Sequence, residues 1–389
     1  MTETGNGAGG SIARRPIYLD HQASTPLDPR VREAMLPWLE AGRAGNPHSG
    51  HRAGRAAADA IELARRQVAE LLGAAPAEIV FTSGATEANN LALFGLSRPG
   101  GLVVTSAIEH PSVLACLPEL EAAGRRCRQI AVDGDGRLDL DALAAALDVP
   151  ACLVSVMAAN NEIGTRQDLD AIAAIAGTHG ACLHTDATQA PADAAPVAAR
   201  GIAAASLSAH KIYGPAGIGA LYVSRDRPLT ARAVGGGQQG GRRAGTLPVA
   251  PIVGFGRAAA LARAAAAEEA ARLEDLAHRF VTGIEAAWPG TRRNGGAPRL
   301  PGCVHLTLPG IDAADLLLDL DEIAMSTGSA CATGAPGPSH VLKAIGMSDA
   351  DAHASIRVGL GRFTTADDVD HALSRFREAL ATSGRPAPG

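Results

Sequence analysis

Short apolar runs alternate with helical patterns through the middle of the chain: EIVF (78–81), GLVVTS (101–106), ACLVSVM (151–157), ACLHTD (181–186), AAASLS (203–208) and GALYV (219–223). Unbroken apolar runs of this length are what strands covered on both faces require. Segments such as LDLDALAAAL (138–147) and DLDAIAAIAGTHG (168–180) carry a helical period and supply the crossovers between them. The pattern predicts an α/β fold with a mostly parallel sheet sandwiched by helices. A long Ala-rich helix is expected from about Val253 to Trp288. Beyond it, CVHLTL (303–308), a helix over 312–320, SIRVGLG (355–361) and a final helix from Ala366 suggest a smaller α+β unit.

At 389 residues the chain exceeds the size at which one hydrophobic core stops growing. The expected division is a large domain over 15–255, whose first residues pack with the second unit, and a small domain over 256–381. The ends, 1–14 and 382–389, are Gly/Ala/Pro-rich without apolar period and are expected to be disordered. Aromatic residues make up 3% of the chain, so the core must rest on Ala, Val, Leu and Ile, and surfaces that stack bases or sugars are not expected. The net charge of −5 with interspersed signs gives no footprint for nucleic acid. The first fifteen residues lack an apolar leader core, and no run approaches the roughly 18 uninterrupted apolar residues of a membrane span, so a cytoplasmic location is expected. The six cysteines are far apart, with no CxxC pair, and suggest neither a zinc site nor a disulfide framework. Cys331 stands out from the other five because it lies in MSTGSACATGAPGPS, a run of small residues that reads as a surface loop where a thiol can reach a substrate.

Of 35 basic side chains only two are lysine, Lys211 and Lys343. A position that keeps lysine in so arginine-rich a chain invites a role for the amine itself, since guanidinium cannot act as a nucleophile; the other reading of Lys211 is an ordinary loop charge. In open α/β sheets ligands bind beyond the carboxyl ends of the strands. The residues there offer polar groups: Ser83, Gly84 and Thr86 opening a helix with free backbone N–H groups after EIVF, His110 after GLVVTS, Asn161 after ACLVSVM, Asp186 and Gln189 after ACLHT, and Ser208, His210 and Lys211 after AAASLS. A lysine for a Schiff base, a carboxylate for a pyridine nitrogen, a helix start for a phosphate and a histidine together suit pyridoxal phosphate. The Gly-rich run GGGQQGGRRAGT (235–246) lacks the ending of a P-loop and reads as a flexible loop.

Taken together, YLDHQASTP (18–26), GNPHSGHRAGR (45–55), FTSGATEANNLA (81–92), EHPSV (109–113), NNEIG (160–164), HTDATQ (184–189), SAHKIYGPAGIGALYV (208–223), GGGQQGGRRAGTLPV (235–249), STGSACATG (326–334), PSHVL (338–342) and SIRVGLGRFTT (355–365) resemble the cysteine desulfurases of the NifS/IscS type, within the class-V aminotransferase-like enzymes of pyridoxal phosphate fold type I. The resemblance spans residues 16 to 380 in family order. It implies Lys211 as the Schiff-base lysine, Asp186 as the partner of the pyridine nitrogen, and His110 stacked on the ring. Gln189 and Asn161 would lie near its 3-hydroxyl, and Ala85, Thr86, Ser208 and His210 at its phosphate. It further implies Arg357 as the clamp on the substrate carboxylate, Cys331 as the nucleophile, and a homodimer in which Thr246 completes the neighbouring site. No metal is implied.

The implied reaction converts L-cysteine to L-alanine and leaves sulfur as a persulfide on Cys331 for an acceptor protein. A selenocysteine lyase, another C–S lyase or an aminotransferase on the same scaffold are the alternatives within the class, and a non-catalytic relay subunit the alternative outside it. The chain departs from its relatives in HQAST (21–25), in Gly334, Pro336 and Gly337 of the Cys331 loop, where relatives carry Ser, Leu and Glu, and in the short tail SGRPAPG. The last two bear on the identity of the acceptor more than on the chemistry.

Overall fold

The computed structural model describes residues 16–40, 45–327 and 337–382. After a two-residue strand β1 (Ile17–Tyr18), the chain lays down β2 (Ile79–Thr82), β3 (Leu102–Ser106), β4 (Arg126–Ile130), β5 (Ala151–Ser155), β6 (Cys182–Asp186), β7 (Ile202–Ser208) and β8 (Gly219–Val223). These seven form one sheet in the order β2-β8-β7-β6-β5-β3-β4. Strands β7, β6, β5, β3 and β4 run parallel, and β8 runs antiparallel to both of its neighbours. The six apolar runs named above are six of its strands. The seventh, β4, carries Arg126, Arg128 and Gln129 exposed and only Ile130 buried. As the edge strand it has no need of an apolar run, and its charges discourage pairing with another chain.

Gly219 shows why the turn after β2 can lie so close to β8. A Cβ there would stand 2.5 Å from Leu207 O and 2.7 Å from the Gly84 backbone, so any side chain would push the turn away.

A second sheet, β12-β13-β10-β9, is wholly antiparallel: β9 (Arg292–Arg293), β10 (Cys303–Thr307), then, after β11 (Ile323–Ala324) which pairs parallel with β1, β12 (Ser326–Thr327) and β13 (Ser355–Gly359). Each sheet has its own apolar core. One gathers Phe81, Val104, Val154, Leu183 and Leu207; the other gathers Leu19, Phe280, Leu306, Ile356 and Phe376.

The helix Val249–Ala287 runs through both, burying Ile252, Phe255 and Ala259 in the first and Leu276, Phe280 and Ile284 in the second. At 39 residues it is, among the described residues, the one helix long and apolar enough to cross a membrane. Its apolar residues are spent on these two cores and on the helix Arg52–Leu72. There Gly256 lets the Ala64 backbone approach to 2.5 Å from where a Cβ would sit.

Candidate active site

The carboxyl ends of the parallel strands surround a cavity of about 460 Å³. Asp186, the last residue of β6, and Ser208, the last of β7, form part of its floor; His210 and Lys211 follow in a short 3-10 turn. Ala85 and Thr86 begin the helix Ala85–Leu96, whose N-cap Gly84 offers no side chain, so the first backbone N–H groups are left to the cavity. His110, Asn161 and Gln189 complete the wall. They come from five separate stretches of the sequence, 84–86, 110, 161, 186–189 and 208–211, and the sheet brings them together.

Lys211 Nζ donates to the carbonyls of Gln22 and Ala23, the latter at 2.8 Å. Asp186 Oδ2 accepts from Asn89 Nδ2 at 2.7 Å and Oδ1 from the Thr188 N–H at 3.0 Å, which holds the carboxylate in one orientation at 6% exposure. Below it, His184 is fully buried between Ser155 (2.8 Å) and Ser206 (3.0 Å), linking β5, β6 and β7, and burial pushes its pKa down to about 4. His110 caps the short helix Pro111–Leu114. The Ser112 N–H donates to its Nδ1 at 3.1 Å, which assigns the ring proton to Nε2. Burial lowers its pKa, Asp186 opposes the shift, and Lys211 and His340 reinforce it. His210, with Ser24 Oγ 3.2 Å from Nδ1, is lowered to about 4 by burial and then by Lys211. Burial thus favours the neutral form of both rings.

The family model for aminotransferase class-V matches residues 17–372. The chain is 42% identical over 382 residues to the cysteine desulfurase IscS of Serratia proteamaculans, covering 94% of this chain and 93% of that one. Among solved structures, a NifS-like protein superposes with a TM-score of 0.87 at 33% identity, over 94% of this chain and all of the other. SspA in complex with cysteine superposes at 0.78 and 34%, over 90% of this chain and all of the other. The chain belongs to the class-V aminotransferase family, among its cysteine desulfurases.

Two further residues expected at this cysteine desulfurase site lie outside the cavity wall. Arg357, on β13 and 2% exposed, donates to Asp20 Oδ1 at 2.8 Å, to Ser326 Oγ at 3.2 Å and to the Asn161 carbonyl at 3.3 Å. It thus lies directly behind Asn161, at the seam between the two sheets. Thr246 is exposed and lines a second hollow of about 190 Å³, which shares Ser83 and Gly217 with the cavity. Cys331 lies outside the described residues. The described chain ends before it at Thr327 of β12, a strand whose Ser326 is paired with Arg357. Its return is anchored by Ser339, whose hydroxyl donates to the buried Glu162, and by His340, whose Nε2 donates to the Glu109 carbonyl at 2.9 Å. Both anchors are thus beside the cavity.

Sequence reasoning passed over Asn89, Ser112 and the Gln22 and Ala23 carbonyls. Asn89 sits in the quoted TEANN, four residues past the helix start, so one helical turn places it behind the cavity wall. No pattern in the sequence marks the two carbonyls, because any residue type supplies one. Lys343 is the ordinary surface charge, exposed and 4.0 Å from Asp349.

Proposed function

We propose that the protein is an L-cysteine desulfurase that uses pyridoxal 5'-phosphate and hands sulfur on from Cys331. The carrying observation is the meeting of Lys211, the oriented Asp186 and an uncapped helix start around one cavity. These groups fit the cofactor's chemistry: an amine for its aldehyde, a carboxylate already presented by two donors for its ring nitrogen, and N–H groups of Ala85 and Thr86 with Ser208 and His210 for its phosphate. When bound, pyridoxal phosphate withdraws electrons from the substrate's α-carbon.

The chain's own residues do the rest. His110 would stack against the ring, and Gln189 and Asn161 would hold its oxygen edge. Arg357 takes the substrate carboxylate with its planar fork, a partner it already has in Asp20. Lys211 would hold the cofactor through its amine and would move the substrate's α-proton. The Cys331 thiolate forms an S–S bond to the substrate sulfur as the substrate C–S bond breaks, so cysteine and a thiol become alanine and a persulfide. Thr246, which is exposed, completes the phosphate site of a second copy. The division into a large domain over 15–255 and a small one over 256–381 is supported by the two separate cores, and we place the enzyme in the cytoplasm.

The test is product analysis with Lys211→Arg beside the wild type. Alanine with enzyme-bound persulfide from L-cysteine is the expected outcome, with no turnover in the variant because guanidinium cannot form the linkage. Pyruvate as the carbon product, or a borohydride-fixed cofactor on a residue other than Lys211, would overturn the assignment.

A further inference from the structure

The glycine-rich run 235–246, expected as a flexible loop, is clipped to the turn that opens the cavity. Gln239 adopts φ 53° and uses its side-chain amide as a substitute strand: the Phe81 N–H donates to Oε1 at 2.7 Å, and Nε2 donates to the Phe81 carbonyl at 2.8 Å. Arg242 donates to the Ala77 carbonyl at 2.7 Å. Arg243 reaches the helix start itself. Its Nε and Nη2 donate to the two oxygens of Glu87 at 2.8 and 3.1 Å, and Glu87 Oε2 also accepts the Ser83 N–H at 2.7 Å. Ser83 lines the cavity while Glu87 stands behind it.

Glu87 is the acidic residue of the first turn of Ala85–Leu96. A carboxylate there competes with any anionic ligand for the positive end of the helix. Burial pushes its pKa up, but the Arg243 fork and the Ser83 contacts outweigh this and hold it below the ordinary value, so it is ionised. The pair is mostly screened from water, at 21% and 27% exposure, and Arg243 cancels the charge where it would repel a phosphate. Three residues further on, Thr246 shares the hollow with Ser83. The bridge therefore ties the turn that lines the cavity to the segment that carries Thr246.

We propose that Arg243 is a positioning residue for the phosphate end of the cofactor: it neutralises Glu87 behind the helix start and ties that start to the segment bearing Thr246. The inference rests on the reading that a phosphate ester sits at Ala85 and Thr86.

The test strips the cofactor from the holoenzyme and titrates the protein with pyridoxal 5'-phosphate and with pyridoxal, following the absorbance of the lysine-bound ring. The ratio of the two dissociation constants isolates what the phosphate contributes. Arg243→Ala is expected to reduce that ratio on the order of tenfold, the scale of a lost charge-assisted fork beside an anion. Adding Glu87→Gln, which removes the uncompensated charge but keeps an acceptor for Ser83, should bring the ratio back to within about threefold of wild type, as should the charge-keeping Arg243→Lys alone.

An unchanged ratio in Arg243→Ala, an equal loss for both ligands, or a double variant no better than the single one would overturn the proposal. If Arg243→Ala does not fold, Arg243→Lys decides, since loss of the phosphate preference in that variant contradicts neutralisation. Wild-type protein without preference for the phosphorylated ligand would overturn the cofactor reading itself, and this inference with it.

Discussion

Asn89 donates through Nδ2 to Asp186 Oδ2 at 2.7 Å across 97 positions of sequence, and the same nitrogen lies 2.8 Å from Ser112 Oγ, which in turn contacts His110. One fully buried amide thereby orients both Asp186 and, through Ser112, His110, the two side chains that the proposed function assigns to the cofactor ring. Asn89→Ala would remove a hydrogen bond to a buried charged group, a loss of about 1.5–3 kcal/mol that the site, more than the fold, would feel. The expected result is a kcat lowered about ten- to a hundredfold, with a shifted absorbance of the bound cofactor and partial recovery in Asn89→Ser. A variant with wild-type absorbance and kcat would remove Asn89 from the site.

Glu109 gives the fold a pH dependence of readable sign. It is fully buried, and burial, with a smaller push from Asp186, raises its pKa to about 8, against the Ser106 hydroxyl and the Met157 N–H. Between the ordinary glutamate value and about 8 the folded chain holds a proton that the unfolded chain releases, so stability falls as pH rises. The histidines 184, 210 and 305, with pKa values of about 4, 4 and 3 from burial, act oppositely, adding stability as pH rises toward the unfolded histidine value near 6.5. Above that value the histidines add nothing further, and Glu109 acts in the same direction as Glu162, whose pKa burial also raises. Thermal melts from pH 6.5 to 8 should show a steeper decline for wild type than for Glu109→Gln; parallel curves would deny the buried proton.

Cys331→Ala separates cofactor chemistry from sulfur transfer. Folding, the yellow colour and the spectral response to cysteine depend on Lys211, Asp186 and the phosphate site, and are expected to survive. Persulfide formation and delivery to an acceptor protein are expected to disappear, with slow sulfide release to excess small thiol as the residue of activity. Mass spectrometry of wild-type protein after cysteine, without reductant, should find the added sulfur on the Cys331 peptide. Sulfur on Cys116 or Cys303, both buried and both with thiol pKa values pushed up to about 11 by burial, would contradict the mechanism.

Thr246 provides a test of the shared site. Its exposure means that Thr246→Ala should leave the fold intact and weaken cofactor retention only if a second copy uses it. Mixing inactive Thr246 and Lys211 variants should regenerate one complete site per hybrid dimer. No recovery after verified subunit exchange would count against the shared site.

Much of this was legible along the chain. The six apolar runs became strands because a strand buried in the sheet needs an uninterrupted apolar sequence, and the residues just after five of them, all but the antiparallel GALYV, line the cavity because strand ends are where an open sheet leaves backbone groups and space. Edge strand β4 was not legible. With only Ile130 buried, it has no pattern to read, and it exists because β3 offers it a ladder of hydrogen bonds.

Local sequence determined the identity of the chemistry: one lysine in an arginine-rich chain, a carboxylate at a strand end, a glycine before a helix start. Tertiary structure decided how those groups are held. Asn89 behind Asp186, carbonyls 22 and 23 on Lys211, and Arg243 on Glu87 are contacts between segments 97 to about 190 positions apart. Periodicity reports only which face of an element is buried, and a hydrogen bond between distant segments depends on where the sheet order sets them, which no local pattern encodes.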